Sequence, residues 1–276
     1  MPPLDPPPAP IGRPAVASHW PEYVIEAAGL GTFMLSACAF GVLLGHPASP
    51  VVRSIDDPVL LRAGMGIAMG LTAVALVLSP WGKRSGAHFN PAVTLTFFRL
   101  GRVARRDAAF YAGAQVLGGL AGVAVAAGLF GERLADPAVR YVVTAGSYGP
   151  GAAFASELAI SFALMSAVLH CADTPALNRY TAFVAGALVA TFITFEAPLS
   201  GMSMNPARSL ASAAHAHWWS AFWIYLTAPP LGMLAAAECR LRFAGGPVTG
   251  CAKLHHENPT RCIFRCGYPR PTTDRP

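Results

Sequence analysis

Six apolar blocks constrain this chain more than any other feature. They fall at roughly 22–45, 62–79, 107–130, 152–171, 179–196 and 218–239, each at least 18 residues long with at most one or two charges. About 20 apolar helical residues cross the roughly 30 Å hydrocarbon layer of a bilayer, so blocks of this length read as membrane spans. A soluble core of this size would need a charged shell, yet charged residues are only 12% of the chain, against about 25% in ordinary globular proteins. The expected class is an all-α, multi-pass membrane protein. A soluble binding protein is excluded.

The blocks also repeat. Glu26 lies in the first, followed by Asn90-Pro91-Ala92 and then Tyr111-x-x-Ala114-Gln115-x-x-Gly118. Glu157 lies in the fourth, followed by Asn205-Pro206-Ala207 and then Tyr225-x-x-Ala228-Pro229-x-x-Gly232. The spacing from Asn to Tyr is 21 residues in the first half and 20 in the second. With three spans in each half, the second half must enter the bilayer from the opposite side, so the repeats are inverted and place their site near the midplane. The expected organisation is a disordered Pro-rich tail over 1–21, a first repeat over 22–130, a connecting loop over 131–151, a second repeat over 152–240 and a cytoplasmic tail over 241–276 that carries Cys, His and Arg. Residues 1–21 have seven prolines in the first fourteen positions and no basic region of the kind that opens a signal peptide.

Close packing of helices explains the Gly- and Ala-rich spans. It does not explain a repeated Asn-Pro-Ala between spans. Asn is a favoured N-cap whose side-chain oxygen accepts a backbone N–H of the first turn, and proline suits the first helical position. Asn90 and Asn205 are each expected to begin a helix. The apolar run Pro91–Leu100 rises about 15 Å, half the hydrocarbon thickness, and should be re-entrant. Pro206–Ala214 is its counterpart. Two half-helices entering from opposite faces bring two N-termini together, each equivalent to about +0.5 charge. That junction opposes cations. With both Asn oxygens committed to capping, the amide NH₂ groups are expected to be free to donate into the conduit, orienting a water so that a proton wire is broken.

The segments Ser85-Gly86-Ala87-His88-Phe89-Asn90-Pro91-Ala92-Val93-Thr94 and Gly201-Met202-Ser203-Met204-Asn205-Pro206-Ala207-Arg208-Ser209 resemble the two signature loops of the aquaporin, or major intrinsic protein, family. The resemblance covers about residues 22–240. It implies six transmembrane helices plus two re-entrant half-helices, a homotetramer with one pore per subunit, and passive conduction without a cofactor. It also implies that Arg208 lines the narrowest point, donating to solute oxygen and repelling cations. A guanidinium at membrane depth has to line a wet cavity in any case. Counting from Asn205, the family pattern places Ile193 where water-selective members carry His, and Met202 where a small residue is common. The second-span position falls on Met69 or Gly70, where many members carry an aromatic. Ser209 stands where glycerol conductors typically have Asp, and Ala213 fits the water-type pattern. The resemblance thus points to water first and to glycerol or another small uncharged solute second.

Glu26 and Glu157, with Gln115, are expected to hold the re-entrant loops, whose backbone N–H groups must be satisfied inside protein. A proton relay in a coupled secondary carrier is the alternative. His88 is expected in the vestibule or bonded to its loop. His88 with Ser85 or Ser203 would be the only catalytic set, and no repeated nucleophile–base spacing supports an enzyme.

The net charge of +6 does not indicate nucleic acid. With both termini cytoplasmic, the inside segments carry Arg13, Lys83, Arg84, Arg99, Arg102, Arg105, Arg106, Arg179 and the basic residues from Arg240 to Arg275, whereas the outside loops carry only Arg53, Arg62, Arg133 and Arg140. That is the positive-inside pattern of a cell-membrane protein with anionic lipid at its inner face. The cysteines form no disulfide framework. Cys251, His255, His256, Cys262 and Cys266 are soft ligands enough for zinc or copper, but their spacing matches no standard finger. The expectation is a basic juxtamembrane tail with reduced thiols and no metal. A metal site is the alternative.

Overall fold

The computed structural model describes residues 15–243, 250–256 and 258–268. Among these, every regular element is a helix. Helix α1 spans Ala15–Gly45, α2 Pro58–Leu78, α3 Pro91–Arg99 and α4 Arg105–Phe130. Helix α5 spans Gly149–Asp173, α6 Thr181–Phe195, α7 Pro206–Ala216 and α8 Trp223–Phe243. Six are long and two, α3 and α7, are half-length, as the apolar blocks and the capped Asn-Pro-Ala runs predict.

Three boundaries depart from the sequence expectation. Helix α1 begins at Ala15, inside the segment expected to be disordered, because two contacts fasten its first turns to the bundle. His19 lies 2.9 Å from Asp107, and the fully buried Glu22 accepts from Arg84 at 3.0 Å. Of the six blocks, only α1, α2, α4 and α5 are long and apolar enough by themselves to cross a membrane. Helix α6 has 15 residues, a rise of roughly 22 Å, and is lengthened by a 3₁₀ turn before it and a short helix, Ala197–Ser200, after it. Helix α8 carries Pro229 and Pro230 and ends on Arg240 and Arg242. Finally, residues 250–256 and 258–268 are folded against the bundle.

The bundle exposes large apolar side chains and buries several charged and polar ones within an otherwise apolar core, unlike a soluble protein. Leu71, Leu117, Leu129 and Phe195 are exposed, while Glu22, Glu26, Gln115 and Glu157 are fully buried. Helix pairing repeats between the halves: α1 packs on α4, α5 on α8, and α2 on α6. The crossings need glycine. A Cβ at Gly118 would stand 1.9 Å from the Ala27 carbonyl oxygen, and one at Gly232 would stand 2.4 Å from that of Leu158. Each half-helix packs chiefly on the last long helix of the opposite half, α3 on α8 and α7 on α4. That exchange locks the two repeats together.

Candidate functional site

The two loops that lead into α3 and α7 have the same backbone path. Short helices, Pro80–Ser85 and Ala197–Ser200, end at left-handed glycines, Gly86 (φ 98°) and Gly201 (φ 87°). Positive φ then recurs at Ala87 (57°) and Phe89 (46°), and at Met202 (51°) and Met204 (52°). Such conformations cost about 1–3 kcal/mol per residue and persist only where the surroundings over-determine them.

Two buried carboxylates supply that constraint. In α1, Glu26 Oε1 accepts from the Ser85 hydroxyl (2.7 Å) and the His88 N–H (3.1 Å), while Oε2 accepts from the Phe89 N–H (2.6 Å) and Gln115 Nε2 (2.8 Å). In α5, Glu157 Oε1 accepts from the Ser200 hydroxyl (2.8 Å) and the Ser203 N–H (2.6 Å), and Oε2 from the Met204 N–H (2.8 Å). Tyr111 and Tyr225 complete the matched sets, donating to the carbonyls of Ser85 (2.6 Å) and Ser200 (2.5 Å). Sequence reasoning missed the paired role of Ser85 and Ser200. The signal was present, since each stands five residues before its Asn.

Asn90 and Asn205 cap α3 and α7 through Oδ1, which accepts the N–H of Ala92 (2.8 Å) and of Ala207 (3.1 Å) and Arg208 (3.3 Å) respectively. Their amides are not free, which corrects the sequence expectation. Asn90 Nδ2 donates to the Met204 carbonyl (2.7 Å) and Asn205 Nδ2 to that of Phe89 (2.8 Å). One N–H of each NH₂ is spent on the opposite loop, because the two N-termini meet closely enough for each Asn to reach the other's loop. Both residues also line a cavity.

That cavity holds about 460 Å³ and runs between the two halves. Met69, Ile193, Met202 and Arg208 line it together, and His88 lines it beyond the Asn pair. Gly70 is not on the wall. It packs against α6, where a Cβ would stand 2.5 Å from the Gly186 carbonyl oxygen. Arg208 is half-buried and its Nη1 has no protein acceptor, so this donor is left for an oxygen in the conduit. Ser209, fully buried, is tied to Thr144 (2.8 Å) and Ser203 (2.5 Å), and so serves the loop.

His88 uses both ring nitrogens. Nδ1 lies 3.0 Å from Thr94 Oγ1 and Nε2 2.8 Å from the Ala252 carbonyl oxygen. A carbonyl only accepts, so Nε2 carries the proton. The ring is stacked on Phe97 and on Phe264. Ala252 and Phe264 belong to the C-terminal segment, whose Leu254 also reaches the cavity wall. Nothing in the paired motifs signalled this. Within the segment, the ligand atoms of Cys251, His256 and Cys266 lie within 4.8 Å of one another, and Cys262 Sγ is 3.5 Å from Cys251 Sγ. The His255 imidazole is outside this group.

A family model described as "Major intrinsic protein" matches residues 16–239. Aquaporin NIP6-1 of Arabidopsis thaliana is 36% identical over 197 residues, covering 71% of this chain and 63% of that protein. Aquaporin NIP1-1 of Arabidopsis thaliana is 36% identical over 194 residues, with 69% and 65% covered. The chain therefore spans just under two thirds of the length of these relatives. The X-ray structure of the aquaglyceroporin from Plasmodium falciparum superposes with a TM-score of 0.66 at 20% identity, over 82% of this chain and 97% of that one, a likeness of fold.

Proposed function

Because the chain belongs to the major intrinsic protein family, we propose that it is a passive transmembrane channel for water and other small neutral solutes that excludes protons and ions. The observation that carries this reading is the mutual bracing of Asn90 and Asn205 where α3 and α7 meet head to head beside a cavity that both residues line. Two helix N-termini there oppose a cation, and the second N–H of each amide donates to a passing oxygen. The names aquaporin and aquaglyceroporin borne by the similar proteins support the class.

Arg208, Met69, Ile193 and Met202 form the selectivity constriction. One cation among apolar side chains offers a solute few hydrogen bonds, which favours the smallest solute, water, with glycerol second. The oxygens of Glu26 and Glu157 are occupied by loop N–H groups and hydroxyls, and this supports a channel over a proton-coupled carrier. The protein is a homotetramer of the cell membrane with both termini cytoplasmic, a topology supported by the basic residues of the 83–106 and C-terminal segments.

Stopped-flow light scattering on reconstituted vesicles tests the proposal. Water flux should exceed that of empty vesicles, with low activation energy, and glycerol flux should be smaller. Saturable flux driven by a proton gradient would overturn it in favour of a carrier.

A further inference from the structure

Residues 250–256 and 258–268 border the cavity through Leu254 and have no regular secondary structure. They are tied to the first re-entrant loop: Leu254 N–H donates to the Gly86 carbonyl (3.1 Å), the Ala252 carbonyl accepts from His88, and the Thr260 hydroxyl donates to the Lys83 carbonyl (3.0 Å). The eighteen described residues of this segment include no helix or strand, and small folds of this kind commonly depend on a metal or on disulfides.

At its centre three soft donors, Cys251, His256 and Cys266, lie within 4.8 Å of one another, and a fourth, Cys262, stands beside Cys251. Cys251 and Cys262 sulfurs are 3.5 Å apart, and Cys266 Sγ is 3.6 Å from His256 Nε2. The first distance is far longer than the ~2.05 Å of a disulfide. It is close to the ~3.8 Å that separates two thiolates at ~2.3 Å from one tetrahedral zinc. Thiols are weak hydrogen-bonding groups, and their mutual contacts alone give little reason to gather three with an imidazole. The ring of His256 is stacked on Tyr268 at 4.5 Å, and the Tyr268 hydroxyl donates to the Ala172 carbonyl at the end of α5. A metal-bound imidazole needs that kind of orientation.

A second observation concerns charge. Lys253 is 3% exposed, and its ammonium donates only to neutral oxygens: the Thr260 carbonyl and hydroxyl and the Arg261 carbonyl. A buried cation requires a compensating anion. The carboxylate of Glu22, which also acts on Lys253, is already paired with Arg84. Zinc held by three thiolates and one neutral imidazole carries a net charge of −1, and Lys253 follows its ligand Cys251 by two residues.

We propose that Cys251, His256, Cys262 and Cys266 form a tetrahedral zinc site, and that the ion fastens segment 250–268 across the His88 mouth of the cavity. Zinc takes the sulfurs as thiolates and releases their protons to solvent. The bound ion holds Leu254 on the cavity wall and Phe264 on His88. The metal assignment stands apart from the channel reading, whereas the consequence for flux rests on it.

The full chain, purified under reducing conditions without chelator, should carry close to one zinc per polypeptide by elemental analysis. After chelation, Co²⁺ should give a thiolate-to-cobalt charge-transfer band. Cys262→Ser and His256→Ala should weaken zinc binding by at least the about 10–100-fold seen when an outer-shell partner is changed. His255→Ala and Cys239→Ser should keep it. Chelation of the unmodified chain tests the site without any risk of misfolding by mutation. Equal zinc in all variants, preferential loading with copper(I), or a Cys251–Cys262 disulfide found by mass spectrometry would overturn the site. In reconstituted vesicles, chelation should raise water flux and Zn²⁺ should reverse it. Stoichiometric zinc with flux that ignores chelation would overturn the capping role alone, and zinc binding in vesicles without any flux would count against the channel and not the site.

Discussion

Asn90 and Asn205 hold each other's loops: each caps its own half-helix with Oδ1 and donates Nδ2 to the carbonyl that precedes the other. One side chain thus performs two tasks, starting a helix and joining the two repeats. Replacing Asn90 by Ala removes a cap, worth about 0.5–2 kcal/mol, and a cross-loop hydrogen bond, worth about 0.5–1.5 kcal/mol. We expect Asn90→Ala to lower the Tm of the detergent-solubilised protein and to reduce water flux per reconstituted chain. Asn205→Ala should behave alike, because its bonds are the mirror set. A large loss for one and none for the other would show that the brace is not mutual.

Arg208 lines the cavity with an unmatched donor, Nη1, and is the residue we propose as the filter. Arg208→Val removes both that donor and the positive charge facing the conduit. Larger neutral solutes and monovalent cations should then pass in proteoliposome flux assays, while water flux persists. Selectivity identical to that of the unaltered chain would dismiss Arg208 as the filter.

The two carboxylates should tolerate substitution poorly. Glu157→Gln places an NH₂ where a carboxylate oxygen accepts the N–H of Ser203 or of Met204, so one buried donor loses its acceptor at a cost of about 1–3 kcal/mol. Glu26→Gln disturbs two bonds whichever oxygen is replaced, whereas Glu157→Gln can lose as few as one, at Oε2. We expect lower yields of folded protein and reduced flux for both, with Glu26→Gln the more severe. A proton relay would give a different result: normal folding, with loss only of the dependence of transport on a pH gradient.

These residues also show which parts of the structure were legible in the sequence. Asn-Pro-Ala states its own local physics, since capping and the proline at the first helical position depend on neighbours in the chain. The pairing of Glu26 with Glu157 was visible because the inverted repeat prints the same residue twice. What one copy cannot reveal is what lies opposite it. The donation from Asn90 to Met204 joins positions 114 residues apart, so the amide's partner was invisible. Met69 and Gly70 were separable only by helix rotation, which turns Met69 to the cavity and Gly70 to α6. The C-terminal segment was least legible, because Cys251, His256, Cys262 and Cys266 follow no standard spacing and the segment has no repeat to compare with.

The glycines of α4 offer a test of the packing that carries the site. Gly118→Ala would put a Cβ 1.9 Å from the carbonyl oxygen of Ala27. Since the obstacle is backbone, the methyl fits only if α1 and α4 separate, and overpacking of this kind typically costs about 1–3 kcal/mol. Glu26 lies one residue from Ala27, so the same displacement pulls its carboxylate away from His88 and Phe89. Gly113 lies five residues earlier in the same helix, and a Cβ there meets nothing within 4 Å. Gly113→Ala should therefore stabilise the protein by roughly the 1 kcal/mol that separates Ala from Gly in a helix. Thermal unfolding in detergent should show Tm falling for Gly118→Ala and holding or rising for Gly113→Ala, with water flux lost only in the first. Equal responses would mean that helix propensity, and not the approach of α4 to α1, sets the stability of this half.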